Sequence, residues 1–219
     1  MRLKKHLLLS SSLLISASAF AQTNRLPIIH LHRMLSSAPK LNPTALEYAV
    51  KGYDWAYQHH EIGPNNQTLT VIDFNSPAYE KRLWVFDIKS GRLLMNAYTT
   101  QGKGSGLVKA TRFSNQARTD ETSLGIYKTL NTYSGEHGLS MRLQGLENGI
   151  NNNAYRRDIV VHPAWYSTPA FVKKYHRTGR SWGCFGINPA VSTQFIKLTR
   201  GGSIIYAYAS PEKNDPYLV

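Results

Sequence analysis

The stretch Asp158-Ile159-Val160-Val161-His162 is the most informative about the fold of this chain. An isoleucine followed by two valines predicts a short buried β-strand, and that strand ends on a histidine. The polar residues 147–157, rich in asparagine and glycine, come before it and predict a loop. A side chain at the end of a buried strand faces the rim of the sheet, so the histidine is well placed to serve a site there.

Further strands are predicted on both sides of this stretch, each a run of apolar and β-branched residues bounded by turn-forming residues. Residues 82–88 and 92–98 are joined by Lys89-Ser90-Gly91 and together predict a β-hairpin. The other predicted strands are residues 68–74, 124–129, 139–143 and 203–209.

Two Asn-Pro pairs predict the starts of helices, because asparagine is a favoured N-cap and proline fits the first helical position. Asn42-Pro43 predicts a helix that runs to about His60, and Asn188-Pro189 predicts another that ends at Gly201-Gly202. Residues 169–176 predict one or two further helical turns. Many short strands with few short helices predict a mostly β fold, either a sandwich or a barrel.

The first residues of the chain are typical of an export signal. A basic start precedes an apolar run with serines, and Ala19-Phe20-Ala21 has the small-x-small pattern of a cleavage site. The sequence therefore predicts a signal peptide at residues 1–21, a flexible lead-in at 22–41 and a single domain at 42–210, with its helical preface at 42–62. The expected location is the periplasm or cell envelope, without stable membrane insertion once the signal is cleaved. A retained N-terminal anchor is the alternative.

The composition limits the classes of partner that this chain is expected to bind. Its formal net charge of +13 attracts polyanions but does not indicate which polyanion the protein binds. The chain has no nucleic-acid-binding motif and no basic run interleaved with aromatic residues, so nucleic acid is not an expected partner. Anionic cell-wall polymers or lipid head groups fit an exported chain better. The histidines lack the spacing of metal ligands, so no metal or other cofactor is expected.

Cys184 is the single cysteine, so no internal disulfide can form. A lone thiol in an exported protein is either buried and inert or a nucleophile. Gly183 precedes it and Gly186 follows, and glycine lets backbone N–H groups approach a substrate closely. Arg180 and the positive net charge are expected to favour the thiolate over the thiol.

A cysteine nucleophile needs a base, and three histidines are candidates for that role. His162 at the end of its predicted strand is the best of them and stands 22 residues before Cys184. His137, in a glycine-flanked loop, and His176 are the alternatives. A histidine satisfied within the core is the other interpretation of His162, because one cysteine and one histidine are a weak signal alone.

Together these motifs resemble the murein L,D-transpeptidase catalytic domain family. After His162 comes Gly179-Arg180-Ser181-Trp182-Gly183-Cys184, similar to the branch in which tryptophan stands before Gly-Cys. The resemblance covers roughly residues 44–209 and implies an L,D-transpeptidase-like β-sandwich or barrel. Its other motifs lie in residues 69–74, 103–106, 123–125, 143–151 and 153–162.

The resemblance implies an exported cysteine acyltransferase whose partners are peptidoglycan stem peptides. In it, Cys184 attacks the carbonyl before a terminal D-alanine, forms a thioester and passes the acyl group to an amine. His162 serves as the base, the Pro163 carbonyl orients it, and the N–H groups of Gly183 and Cys184 hold the oxyanion. Substrate binding is implied at Arg180, Ser181, Trp182, Tyr133, Arg142 and Asn153.

Two alternatives to acyl transfer remain open from the sequence. Water in place of the amine gives an L,D-carboxypeptidase or amidase on the same fold. The second alternative is a non-catalytic domain that binds the cell wall through its basic face, in which the Cys184 thiol has no catalytic role. The sequence departs from the branch at Phe185 and Gly186, where proline and arginine are usual, and these positions bear on substrate preference.

Overall fold

The computed structural model describes residues 28–63 and 67–210, which fold into one eight-stranded sheet, one two-stranded sheet and short helices. The predicted signal peptide, residues 1–21, lies outside the described residues. The strands are β1 (Thr68–Asp73), β2 (Leu83–Asp87), β3 (Leu93–Ala97), β4 (Gln101–Gly102), β5 (Gly125–Gly135), β6 (Gly138–Gly145), β7 (Val160–Pro163), β8 (Arg180–Ser181), β9 (Phe185–Ile187) and β10 (Ile204–Tyr208). The helices are α1 (Ile28–Ser37), α2 (Pro43–Gln58), α3 (Pro169–Tyr175) and α4 (Pro189–Thr199), with 3-10 turns at Lys103–Ser105 and Trp165–Ser167.

The large sheet has the strand order β3-β2-β1-β10-β5-β6-β7-β9, and the small sheet pairs β4 with β8. The β1–β10 and β7–β9 pairs are parallel, and the other neighbours in the large sheet are antiparallel. The chain leaving β3 returns to the opposite edge, where Thr99 bridges Ile187 and the Thr100 N–H donates to the Gly186 carbonyl at 3.1 Å. The sheet is therefore nearly closed into a barrel.

Both faces of the central strands are covered, which explains why all six residues of β1 are buried. Leu69 and Val71 belong to the cluster beneath α1 and α2, whereas Ile72 belongs to the cluster that includes Phe195 of α4. Alternate side chains of a strand point to opposite faces. Alternate residues of β1 therefore pack into two different apolar cores. For this reason the strand does not show an alternation of apolar and polar residues.

The helix starts follow from the predicted caps. Asn42 Oδ1 accepts a hydrogen bond from the Thr44 N–H at 2.9 Å at the start of α2, and Asn188 does the same for Ala190 at 3.1 Å at the start of α4. Such caps satisfy backbone donors that have no partner within the helix. The mostly β fold with a few short helices and an N-terminal helical segment is confirmed.

The structure differs from the sequence-based expectation before residue 42. Helix α1 occupies residues 28–37 of the stretch expected to be a flexible lead-in, and Met34 on it is fully buried. The helix packs against α2 and covers one face of the sheet. Burial of this apolar side chain is a tertiary effect, so local composition did not reveal it. None of the helices in the described part of the chain has the length and apolar character of a membrane span.

Candidate active site

Pairing of β7 with β9 brings the predicted nucleophile and base to one place. The two strands are parallel, with His162 opposite Gly186, and Cys184 lies two residues before Gly186. Since side chains alternate along extended chain, Cys184 and His162 project on the same face of the sheet. A separation of 22 residues in sequence thus becomes a neighbouring pair across two adjacent strands.

His162 is held as a neutral imidazole. Its side chain is only 4% exposed, and its Nδ1 lies 2.9 Å from the carbonyl oxygen of Pro163. A carbonyl only accepts, so Nδ1 carries the proton and Nε2 is the unprotonated, basic nitrogen. Burial lowers the pKa of His162, the Pro163 hydrogen bond opposes that effect, and the charge of His137 lowers the pKa further. The contact with the Pro163 carbonyl is the one that the resemblance implies.

Cys184 is partly exposed and protonated in its resting state. Its Sγ–H donates to the carbonyl of Asp158 at 3.4 Å. Burial raises the pKa of the thiol, the hydrogen bond with Val160 and the charge of Arg157 lower it, and Asp158 raises it. The expectation that the surroundings favour the thiolate is therefore wrong, because desolvation outweighs the nearby cation.

The cation that acts on the Cys184 sulfur is Arg157, which the sequence did not single out. Arg157 donates to the carbonyls of Ser114 and Glu121 and to Ser123 Oγ, which fixes its guanidinium beside the site. In the sequence, the resemblance to the family is carried by its neighbour Arg156, so Arg157 did not stand out. Arg180, which was expected to act on the thiol, donates instead to the Lys103 carbonyl at 3.3 Å.

Three hydroxyl groups hold the loop that carries Cys184. Ser181 Oγ donates to the Cys184 carbonyl at 2.7 Å and accepts from the Gly183 N–H at 3.1 Å. Thr100 Oγ1 donates to the same Cys184 carbonyl at 3.2 Å, and Thr122 Oγ1 donates to the Gly183 carbonyl at 3.2 Å. Ser181 is thus a support of the loop, and the two threonines were missed because they lie in loops remote in sequence.

Gly183 cannot be replaced without strain. Its φ of +121° lies in the region that favours glycine, and an added Cβ would lie 2.7 Å from Ile159 Cδ1 and 2.9 Å from the Glu121 carbonyl oxygen. Because its N–H already donates to Ser181 Oγ, that N–H reaches an oxyanion only by exchanging this partner. The oxyanion role assigned to Gly183 therefore stays a prediction.

Aromatic and basic side chains surround the pair. Trp182 is 75% exposed, with Lys103 Nζ 5.8 Å from its ring centroid. On the other side, the Arg142 guanidinium lies 4.8 Å from the ring centroid of Tyr133 and 3.4 Å from Asp158 Oδ1. These groups offer stacking and charge-assisted contacts to a peptide bearing carboxylates.

The remaining candidates have different positions. Asn153 joins two loops by donating from its backbone N–H and its side-chain amide to Asn115, so the structure gives it a supporting contact. Tyr166, not singled out by the sequence, is close enough to Cys184 that burial and the cysteine charge both raise its pKa. His176 is the left-handed C-cap of α3, whereas His137 lies against His162.

A comparison with protein families gives a match that covers most of this chain. The family model described as L,D-transpeptidase catalytic domain matches residues 37–208. A solved L,D-transpeptidase from Mycobacterium smegmatis is 14% identical, with 67% of this chain and 69% of that chain covered and a TM-score of 0.38. One from Stackebrandtia nassauensis is 10% identical, with 82% and 76% covered and a TM-score of 0.39.

A third solved structure, an L,D-transpeptidase from Xylanimonas cellulosilytica, is 14% identical with a TM-score of 0.37. The match covers 67% of this chain and 63% of that chain, so this chain spans less than two thirds of that relative. A search among curated protein sequences found no match.

Proposed function

This chain belongs to the L,D-transpeptidase catalytic domain family, and from that premise we propose that it is an exported enzyme that transfers acyl groups between peptidoglycan stem peptides. Cys184 is the nucleophile and His162 the base. The site of action is the periplasm or cell envelope, where such peptides occur.

One observation carries the proposal, namely the hydrogen bond of His162 Nδ1 to the Pro163 carbonyl on the strand beside Cys184. It assigns the proton to one ring nitrogen and leaves the other basic. A general base is useful only in its unprotonated form and in a fixed orientation. The neutral imidazole and the neutral thiol together make a pair that exchanges a proton as the substrate is attacked.

In the first step, Cys184 Sγ attacks the carbonyl carbon before the terminal D-residue while His162 Nε2 takes the thiol proton. The C–N bond then breaks, the departing amine takes that proton from His162, and a thioester remains on Cys184. Because the carbonyl oxygen becomes negative during attack, it needs N–H donors. The N–H groups of Cys184 and Gly183 are our candidates, with the Gly183 N–H exchanging Ser181 Oγ for the substrate.

In the second step, an amine of a neighbouring stem attacks the thioester carbonyl. His162 accepts the amine proton and returns it to the cysteine sulfur as the thioester breaks. Attack by water at the same carbon gives a free carboxylate and makes the enzyme a carboxypeptidase. The first step is common to both outcomes. We propose acyl transfer because of the family to which the chain belongs, and hydrolysis is the alternative.

The test is incubation of the purified domain with a disaccharide tetrapeptide, followed by intact-protein mass spectrometry. We expect a covalent adduct on Cys184 equal to the substrate minus D-alanine, and cross-linked dimers among the products. His162→Gln should slow adduct formation by about a thousandfold, because the base contributes roughly 10² to 10⁴ to such reactions.

Cys184→Ser and Cys184→Ala are the matched controls for this experiment, since both keep the loop and remove the thiol. Neither variant should form the adduct at a measurable rate. Cross-linking by Cys184→Ala at the native rate would contradict the proposed function and favour a non-catalytic wall-binding domain. Formation of tripeptide without cross-links, even with excess acceptor, would assign the hydrolase instead.

A further inference from the structure

The tip of the β5–β6 hairpin lies beside the proposed base. β5 and β6 pair as far as Gly135 opposite Gly138, which leaves Glu136 and His137 as a two-residue turn. β6 also pairs antiparallel with β7. Each step back along β6 therefore corresponds to one step forward along β7, and the turn reaches the end of β7, where His162 lies.

The contact between the two imidazoles is direct. Their ring centroids are 4.8 Å apart and the ring planes are inclined by 31°, so the two rings form a close, tilted pair. His162 is buried, whereas His137 is exposed to solvent. The ring of His137 thus covers a face of the base, while the Pro163 carbonyl holds the edge of the same ring through Nδ1.

Charged and titratable groups lie beside β7 in sequence or on the segments of chain that adjoin it. Those in the described part of the chain are Glu136 and His137 in the hairpin turn, Arg142 on β6, Asp158 before β7, Tyr166 after β7 and Cys184 before β9. Arg142 pairs with Asp158, and the Cys184 thiol donates to the Asp158 carbonyl. His137 is the group whose ring contacts the base, and its positive charge lowers the pKa of His162.

We propose that His137 is a positioning residue of this active site, whose ring closes one face of the His162 base and whose charge opposes protonation of that base. The catalytic meaning of this inference rests on the proposed function, although the ring contact itself does not. A positive charge on His137 disfavours a second positive charge on His162. The base therefore stays neutral, and usable, to a lower pH than it would alone.

The experiment compares two variants of the full domain by NMR titration of the His162 ring, with the signal assigned by its loss in His162→Gln. His137→Phe keeps an aromatic ring against His162 and removes the charge, so the His162 midpoint should shift upward. His137→Ala removes both ring and charge, so it should shift the midpoint further upward, since the base then gains solvent. The acidic limb of the acylation rate should move upward in the same order.

At a pH above the His162 midpoint, His137→Ala should acylate about tenfold more slowly than His137→Phe, because its base is less well held. His32→Phe is the matched control, because His32 is an exposed histidine on α1, which packs against α2 away from this edge. It should leave the His162 midpoint at its native value.

A native His162 midpoint in His137→Phe would overturn the inference, because the charge contact would then have no effect on the base. The NMR readout separates this result from a failure of the proposed function. Titration of the His162 ring needs no substrate, so an upward shift in a protein that forms no thioester would support the contact and refute acyl transfer.

Discussion

At the scale of single residues, Gly183 shows how closely the loop that carries Cys184 is constrained. Its backbone has φ of +121°, and its missing side chain leaves room for Ile159 and the Glu121 carbonyl. The same residue supplies a carbonyl to Thr122 and an N–H to Ser181. Conformation and space thus require glycine immediately before Cys184, and its two backbone hydrogen bonds hold it in place.

We expect Gly183→Ala to lower the free energy of unfolding by about 3 kcal/mol, through backbone strain and overpacking together. Thiol acylation should fall at least tenfold as the loop moves. Gly149→Ala is the matched control, because Gly149 also has a positive φ of +80° but nothing lies within 4 Å of its added Cβ. Chemical denaturation should show a loss of only about 1 kcal/mol in the control, and equal losses would refute steric crowding at Gly183.

At the scale of elements, the turn between β6 and β7 is built on a buried asparagine. The Asn151 side-chain amide donates to the carbonyls of Leu124 and Ile126, and its Oδ1 accepts from the Glu147 N–H at 2.9 Å. These bonds join the turn to the start of β5. A motif that carried the family resemblance therefore supports the chain that leads into His162.

Asn151→Ala should destabilise the protein by about 3 kcal/mol, because it leaves several buried backbone groups without partners. The melting temperature should fall by roughly 5–10 °C. Asn152→Ala, next along the chain and exposed, removes an amide whose contacts are with Gly149 and Asn115 at the surface. A loss under about 1 kcal/mol is expected there, and similar melting temperatures for both variants would contradict a structural role for Asn151.

At the scale of the whole molecule, a buried arginine ties the closing segment to the sheet. Arg82, fully buried before β2, donates to the Thr99 carbonyl at 3.1 and 3.3 Å and to the Ser76 carbonyl at 3.2 Å. Its guanidinium lies 4.9 Å from the Phe74 ring centroid, and desolvation lowers its pKa while Asp73 opposes that effect. Thr99 is also the residue that bridges to Ile187 of β9.

Arg82→Met should therefore loosen the closure of the sheet as well as destabilise the fold. We expect a loss of about 4 kcal/mol, since buried carbonyls lose their donor and Asp73 loses its counter-charge. Hydrogen exchange should increase at the amides of Thr100 and Gly186, whose bonds link the closing segment to β9. Arg92→Met, an exposed site before β3, is the control; unchanged exchange in Arg82→Met would contradict this role.

The order of strands and helices was predictable because it depends on local signals. Asparagine caps, prolines at helix starts and β-branched runs act over a few residues, and the strands and helices predicted from them are present. The short strands β4, β8 and β9 were not predicted, since two or three residues give no usable periodicity. Their existence depends on partners remote in sequence, such as Arg180 opposite Gln101.

The sequence by itself determined the single thiol, the histidine that ends a buried strand, the Asn-Pro helix starts and the mostly β class. Only the tertiary structure decided that Arg157 rather than Arg180 acts on the thiol, and that His137 packs on His162. The physical reason is that caps and strands are set by neighbours in sequence. Desolvation, charge contacts and contacts between rings are set by neighbours in space, which pairing of β6, β7 and β9 brings together.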